Sequence, residues 1–231
     1  MRFDSWGAFY HSDLQSLWLL LIVPSLFFLY VILITRRHPA GTARARFLRR
    51  WALAFALLAI VDPIATGPLA GALGLSGVAL TAWIFVFVWL GDFRVLLLYF
   101  AEGGSAPDLR AAARRAARLT CLVPLATGAL YAPVWLGFAE APSQVLWLVY
   151  ELLFCALALA LRARAAAPAM RAILLLVFAY YALWAAADVL ILGDVDAGWG
   201  LRVLPNQLYY GFFVPFTWWR LGRESPAPPQ P

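Results

Sequence analysis

The chain has 231 residues, of which 64% are hydrophobic and 13% charged, and its mean hydropathy is +0.80. A soluble domain is about half apolar and about a quarter charged, so this composition excludes a soluble enzyme, a disordered tail and a secreted disulfide scaffold. It is typical of a polytopic membrane protein, in which apolar runs of about 20 residues cross the bilayer as helices.

Seven apolar runs predict an all-α fold with seven membrane-spanning helices. The fifth and seventh runs are at the lower limit of length for an upright crossing. We expect one seven-helix domain over residues 1–223 and a disordered, Pro-rich tail over residues 224–231. The predicted spans are residues 15–35, 51–73, 78–100, 119–138, 145–161, 172–192 and 203–219.

A helix is also predicted ahead of the fourth span. Ser105 is a candidate N-cap, and residues 109–118 are expected to be helical and to continue into the span. Arg110, Arg114 and Arg118 recur every four residues and therefore share one face of that helix.

The placement of the basic residues predicts the orientation in the membrane. All 18 are arginines, and most of them lie in the loops that follow the first, third and fifth spans and in the tail. Only Arg2 and Arg202 are expected on the opposite side, and Arg94 falls within a span. The positive-inside rule then places the N-terminus outside and the C-terminus in the cytoplasm, in what we expect to be a bacterial cytoplasmic membrane.

The arginine-rich loops also bear on partners. Because the arginines are confined to short loops between apolar runs, we expect the lipid bilayer as the main partner, anionic lipid at the cytoplasmic loops, and no nucleic acid. A small-molecule or lipid ligand is a further possible partner.

Residue types that carry cofactors are scarce. The chain has no lysine, so no Schiff base with retinal or pyridoxal phosphate can form, and no cofactor is expected. Cys121 and Cys155 lie within predicted spans and are interpreted as small hydrophobic residues. His11 and His38 lie outside the spans. No metal site is predicted.

Charged residues inside the spans are the first functional candidates, since such residues are costly in hydrocarbon and usually have a partner or a role. Asp62, Asp92 and Arg94 lie on the second and third spans. Their depths predict an Asp62–Arg94 ion pair, which leaves Asp92 to find either Asp62 or a tyrosine hydroxyl. Asp62 precedes Pro63, so a purely structural role in a helix kink is an alternative.

A second group lies nearer the outer surface. Glu151, Asp188 and Asn206 are at a similar depth on the last three spans, and helical spacing places Tyr181 and Trp184 on the face of Asp188 and Tyr210 on the face of Asn206. If these faces converge, they form a polar pocket with aromatic walls. Hydration of the two acids at the membrane interface is the alternative.

These candidates support three functional hypotheses. The first is a transporter-like binding or translocation site for a small cationic or hydrophobic solute. The second is a membrane-embedded enzyme acting on a lipid or isoprenoid, with Glu151 or Asp188 as a protonated general acid. The third is a non-catalytic sensor or assembly subunit. Whether the protein is an enzyme stays open at this point.

Overall fold

The computed structural model describes residues 3–37, 41–102, 108–137 and 143–223. Throughout these ranges the regular secondary structure is helical. His38, the proposed N-cap Ser105, the last residue of the fourth predicted span and the Pro-rich tail at 224–231 lie outside the described residues.

The described residues form one short helix, α1, and seven long ones, α2 to α8. Six of the long helices, α2 to α7, are long and apolar enough to cross a membrane, and they coincide with the first six predicted spans. The second span was predicted to end one residue past α3, and the fourth to end one residue past the described part of α5. The seventh predicted span falls on α8, whose crossing stays a prediction. The helices are α1 (Trp6–Tyr10), α2 (Leu14–Arg37), α3 (Ala43–Ala72), α4 (Gly77–Glu102), α5 (Leu109–Gly137), α6 (Ser143–Arg164), α7 (Pro168–Leu192) and α8, which runs through Ala197–Asn206, Gln207–Phe212 and Phe213–Arg223.

Polar side chains define where two of the long helices begin. The Thr42 hydroxyl accepts a hydrogen bond from the Ala45 amide at 3.1 Å at the start of α3. At the start of α5, the Asp108 carboxylate accepts from the amides of Arg110 and Ala111, both at 3.1 Å. Asp108 therefore satisfies the free N–H groups of this helix end, three residues after the proposed cap. The helix predicted over 109–118 is confirmed as the first part of α5.

The long helices are arranged as a closed ring. Each of α2 to α7 contacts the next helix along the chain, and α8 returns to contact α2. The most extensive packing is between α6 and α7. Buried residues such as Phe154, Leu174 and Phe213 fill the centre. Large apolar side chains of α2 and α5, including Leu26 and Leu125, face outward, as expected of a surface solvated by lipid.

Three helices contain a π-helical turn, in which the usual i to i−4 hydrogen-bond ladder is interrupted. These turns are Leu14–Trp18 in α2, Ala65–Leu69 in α3 and Gln207–Phe212 in α8. Prolines lacking an N–H lie in or beside two of them. The Ala65 carbonyl accepts a hydrogen bond from the Trp83 indole N–H of α4 at 3.0 Å. Such turns often occur at functional sites.

The short helix α1 is fixed to the turn between α7 and α8. The Asp196 carboxylate accepts hydrogen bonds from the backbone amides of Trp6 and Gly7, at 2.7 and 2.9 Å. The Trp6 ring packs against Gly200, where a Cβ atom would come within 2.8 Å of the ring. The N-terminal segment is therefore held against one end of the bundle.

The close approach of α4 and α8 depends on Gly91. A Cβ atom at this position would overlap the Tyr209 hydroxyl and lie 2.6 Å from the Tyr209 Cζ atom. The buried Tyr209 ring also packs against Tyr180 and Trp184, with ring centroids 5.6 and 5.3 Å apart. A side chain at position 91 would therefore displace the Tyr209 ring from these contacts or push the two helices apart.

We predict that Gly91→Ala lowers the free energy of unfolding by about 1–3 kcal/mol, the usual cost of overpacking a tight core. The matched control is Gly128→Ala in α5, because a Cβ atom at Gly128 would meet nothing within 4 Å. Unfolding in detergent, followed by circular dichroism, measures both. Equal stability of the two variants would contradict the packing described for Gly91.

Candidate functional site

The helices enclose a cavity of about 370 Å³, which is within the range of small-molecule sites, roughly 300–1,000 Å³. Every long helix except α5 contributes to its wall, and each of the three π-helical turns supplies at least one lining residue. The wall is rich in aromatic side chains: Tyr10, Trp147, Tyr150, Tyr181, Trp184, Tyr209 and Tyr210.

Two acids and one base form an ion cluster at this cavity. The Arg202 guanidinium lies 3.0 Å from the Asp188 carboxylate and 3.6 Å from that of Glu151. The Arg202 side chain is 14% exposed, and Asp188 is fully buried. Arg202 thus joins α6, α7 and α8 through charge. Arg202 was expected on the outer side, just before the seventh predicted span, and the structure places it within α8, which begins at Ala197.

The fully buried Asp92 is held by two tyrosines. The hydroxyls of Tyr150 and Tyr181 donate hydrogen bonds to its two carboxylate oxygens. Of the two partners expected for Asp92, the tyrosine hydroxyl is confirmed. Both tyrosines also line the cavity, so they connect the carboxylate to the cavity wall.

Arg94 binds α8 and forms no direct ion pair with Asp62. Its Nη2 atom donates to the Tyr209 carbonyl at 2.8 Å, and its guanidinium carbon lies 4.2 Å and 4.5 Å from the ring centroids of Tyr209 and Phe213. Among the ion pairs of the described residues, the expected Asp62–Arg94 pair is absent. Arg94 turns instead toward α8, a helix that the comparison of depths on the second and third spans did not include.

Asp62 instead interacts with hydroxyl groups of the cavity wall. The Thr66 hydroxyl donates to the Asp62 carbonyl at 2.8 Å and lies 3.4 Å from its carboxylate. The Tyr210 hydroxyl is a further hydrogen-bond partner of that carboxylate. Like Asp92, Asp62 thus lies one layer behind the wall.

The side chains of α7 and α8 that were predicted to share a pocket are in contact. The Trp184 indole N–H donates to the Asn206 side-chain oxygen at 2.9 Å, and the Asn206 amide nitrogen lies 3.4 Å from the Tyr10 hydroxyl. Of the nine candidate residues, Glu151, Tyr181, Trp184, Asn206 and Tyr210 line the cavity directly. The other four, Asp62, Asp92, Arg94 and Asp188, lie behind it.

Four lining residues have buried side-chain atoms without a hydrogen-bond partner: Gln15, Glu151, Arg202 and Tyr209. Neither amide atom of the fully buried Gln15 has a hydrogen bond, and neither does the second carboxylate oxygen of Glu151. A buried polar group without a partner is costly unless water or a ligand satisfies it. Gln15 was not among the predicted site residues, although a glutamine within the first predicted span indicates a polar site in the membrane. Tyr150 and Arg202 were not among them either.

The exposed His11 lies at the rim of the cavity. Its ring packs against Trp199, with centroids 4.7 Å apart. The pKa of His11 is lowered from its usual value, first because neighbouring atoms partly shield the ring from water and second because Arg202 is close. His11 is therefore neutral at neutral pH and adds no positive charge there.

The part of the chain that the structure describes contains no cluster of three or more His, Cys, Asp and Glu side chains suited to a metal ion. Both cysteines have free thiols, Cys121 on the outside of α5 and Cys155 in the core. Comparison with family models, curated proteins and solved structures found no match for the chain. A functional proposal must therefore start from the chemistry of the cavity.

We predict that the Asp92–tyrosine contacts stabilise the bundle. Tyr150→Phe should lower the free energy of unfolding by about 1–3 kcal/mol, because it leaves one oxygen of a buried carboxylate without a donor. The same change in an Asp92→Leu background should cost much less. Unfolding in detergent measures this double-mutant cycle, and Tyr30→Phe on the exposed face of α2 is the control. Equal costs in both backgrounds would show that Tyr150 acts through packing alone.

Proposed function

We propose that this chain is a membrane-embedded binding or translocation protein for a small organic cation. The observation that carries the proposal is the aromatic cavity with a partner-free carboxylate oxygen in its wall. Aromatic faces attract cations through their quadrupole, most strongly in a desolvated site. A carboxylate supplies the opposite charge that fixes the position of the ligand.

The charge balance around the cavity supports a cationic ligand. Four carboxylates, those of Asp62, Asp92, Glu151 and Asp188, are buried here with two guanidiniums, those of Arg94 and Arg202. The acidic groups are thus in excess, and His11 at the rim is neutral at neutral pH. An acid that gives up its proton can therefore balance the charge of an entering cation, whereas no basic group is left over to balance an anion.

The positions of the helix ends support the proposal that α8 is a seventh span. At its start, Asp196 holds α1 at one end of the bundle. Near its end, Leu221 lines a second cavity together with Arg115 of α5 and Arg164 of α6. Those arginines belong to the side that the positive-inside rule assigns to the cytoplasm. This arrangement favours an outer N-terminus, a cytoplasmic C-terminus and an aromatic cavity near the outer face.

Cysteine labelling tests this topology. In a Cys121→Ala/Cys155→Ala background, a membrane-impermeant maleimide applied to intact cells should label Val195→Cys and should leave Gly222→Cys unlabelled until the cells are opened. Both residues are exposed in the structure, so access to the membrane side decides the result. If both sites label, or neither does, α8 does not cross in the proposed way.

Ligand binding tests the function with three probes that share a phenyl-alkyl body. We expect phenethylammonium to bind more tightly than 3-phenylpropanol and 3-phenylpropionate, as measured by calorimetry in detergent. Trp184→Leu should weaken phenethylammonium binding at least tenfold, since a cation over a desolvated aromatic ring gains about 2 kcal/mol or more. Trp135→Leu is the control, because Trp135 is exposed on the outside of α5.

Flux of phenethylammonium into proteoliposomes then separates translocation from binding alone. Uptake above that of empty vesicles supports a transporter, and tight binding without uptake restricts the protein to a binding or sensing role. Absence of binding for all three probes, or a preference for 3-phenylpropionate, would contradict a cation site.

A further inference from the structure

The geometry points to an exchange of one proton for one organic ammonium at Glu151, with Arg202 retained as the partner of Asp188. This inference rests on the proposed function, because it assumes that the cavity takes up a cation. It adds the residue that receives the cation, the ion that leaves, and a role for the arginine in the cavity wall.

The charges of the ion cluster determine how many protons it holds. Glu151, Asp188 and Arg202 together have two acidic groups and one basic group, all in contact and largely removed from solvent. A guanidinium keeps its charge under all ordinary conditions. A net charge is costly in a low-dielectric interior and is avoided by protonation. The empty cavity therefore favours a neutral cluster in which one of the two acids carries a proton.

The distances to Arg202 and the access to the cavity identify the acid that carries this proton. Arg202 lies closer to Asp188, at 3.0 Å, than to Glu151, at 3.6 Å. Asp188 lies behind the wall, whereas Glu151 lines the cavity. Both carboxylates have oxygen atoms with no hydrogen-bond partner, so the two acids differ in their distance from Arg202 and in their access to the cavity. The Arg202–Asp188 pair is thus already formed, and Glu151 is the acid that holds the proton and faces an incoming ligand.

Other ionisable side chains surround Glu151. The described groups that can take up or release a proton nearby are acids, phenols, a thiol and one neutral imidazole, so none adds a second positive charge. From the N-terminal segment, α4, α6, α7 and α8 they are Tyr10, His11, Asp92, Tyr150, Cys155, Tyr181, Asp188, Tyr209 and Tyr210. Arg202 is the permanent cation already in contact with Glu151.

The exchange itself balances in charge and atoms. An ammonium enters the cavity, the O–H bond of Glu151 breaks, its proton passes to water, and the ammonium N–H groups bind the carboxylate. The cluster is neutral before and after the exchange. Gln15 adds a side-chain oxygen with no protein partner in the same wall, which can accept a second ammonium N–H.

Counting protons tests the exchange directly. Phenethylammonium is titrated into the full-length protein in detergent, in two buffers of equal pH and different ionisation enthalpy. We expect about one proton released per ammonium bound. Glu151→Gln should weaken binding at least tenfold and abolish the release. The matched control Glu102→Gln should change neither, because Glu102 pairs with Arg44 outside this cavity.

A pair of variants separates charge from structure. Asp188→Asn leaves Arg202 and Glu151 as a neutral one-to-one pair, so phenethylammonium binding should weaken at least tenfold with no proton released. Adding Arg202→Gln leaves Glu151 as the only ionisable member, so binding and the release of one proton should both return. A residue with a merely structural role would not be rescued by the loss of a second contact.

These measurements distinguish a failure of the cation site from a failure of the proton exchange. If the unmodified protein binds none of the three probes, the cation site itself is wrong. If it binds phenethylammonium without releasing a proton, only the exchange is overturned. If Asp188→Asn/Arg202→Gln binds more weakly than Asp188→Asn, Arg202 is part of the ligand site and the exchange is again overturned. This last comparison decides the question even if Glu151→Gln does not fold.

Discussion

The contact between Arg94 and the main chain of α8 is the interaction on which the site depends. A guanidinium buried among apolar helices must keep hydrogen-bond partners and a favourable electrostatic environment, and Arg94 obtains both from α8, through the Tyr209 carbonyl and two aromatic faces. Its own carbonyl accepts from the Trp51 indole of α3 at 3.1 Å. Three helices are thereby fixed at one point, and α8 can present Arg202, Asn206 and Tyr210 to the cavity.

The carbonyl that Arg94 binds lies within a π-helical turn, and this links the helix irregularities to the cavity. Each such turn changes the rotation of its helix, so the residues before and after it face different neighbours. In α8 the turn allows Tyr209 to face Gly91 and Arg94 while Tyr210 faces Asp62. A regular helix in place of any of these three turns would rotate lining residues out of the wall.

Apolar runs were sufficient to predict six helices, because hydrophobicity over about 20 residues is a strong signal. Residues on one helix face, such as Tyr181 and Trp184, were also assigned to the site from helical spacing alone. The partners across helices were not predictable in this way. The Asp62–Arg94 pair came from depth, which says nothing about rotation about the helix axis. Arg202 was placed one residue before the seventh predicted span because polar neighbours hid the start of α8. Tyr150 received no role because its partner Asp92 lies on another helix.

The exclusive use of arginine has a consequence for how the interior can respond to its surroundings. A buried lysine readily gives up its proton and becomes neutral, whereas a guanidinium does not. The buried bases at positions 94 and 202 are therefore permanent charges, and only the acids around them can vary. Alkalinity ionises the acids and leaves both positive charges in place, whereas buried lysines would lose theirs. Because these two cations stay charged, the proposed binding of a cation changes only the protonation of the acids around them.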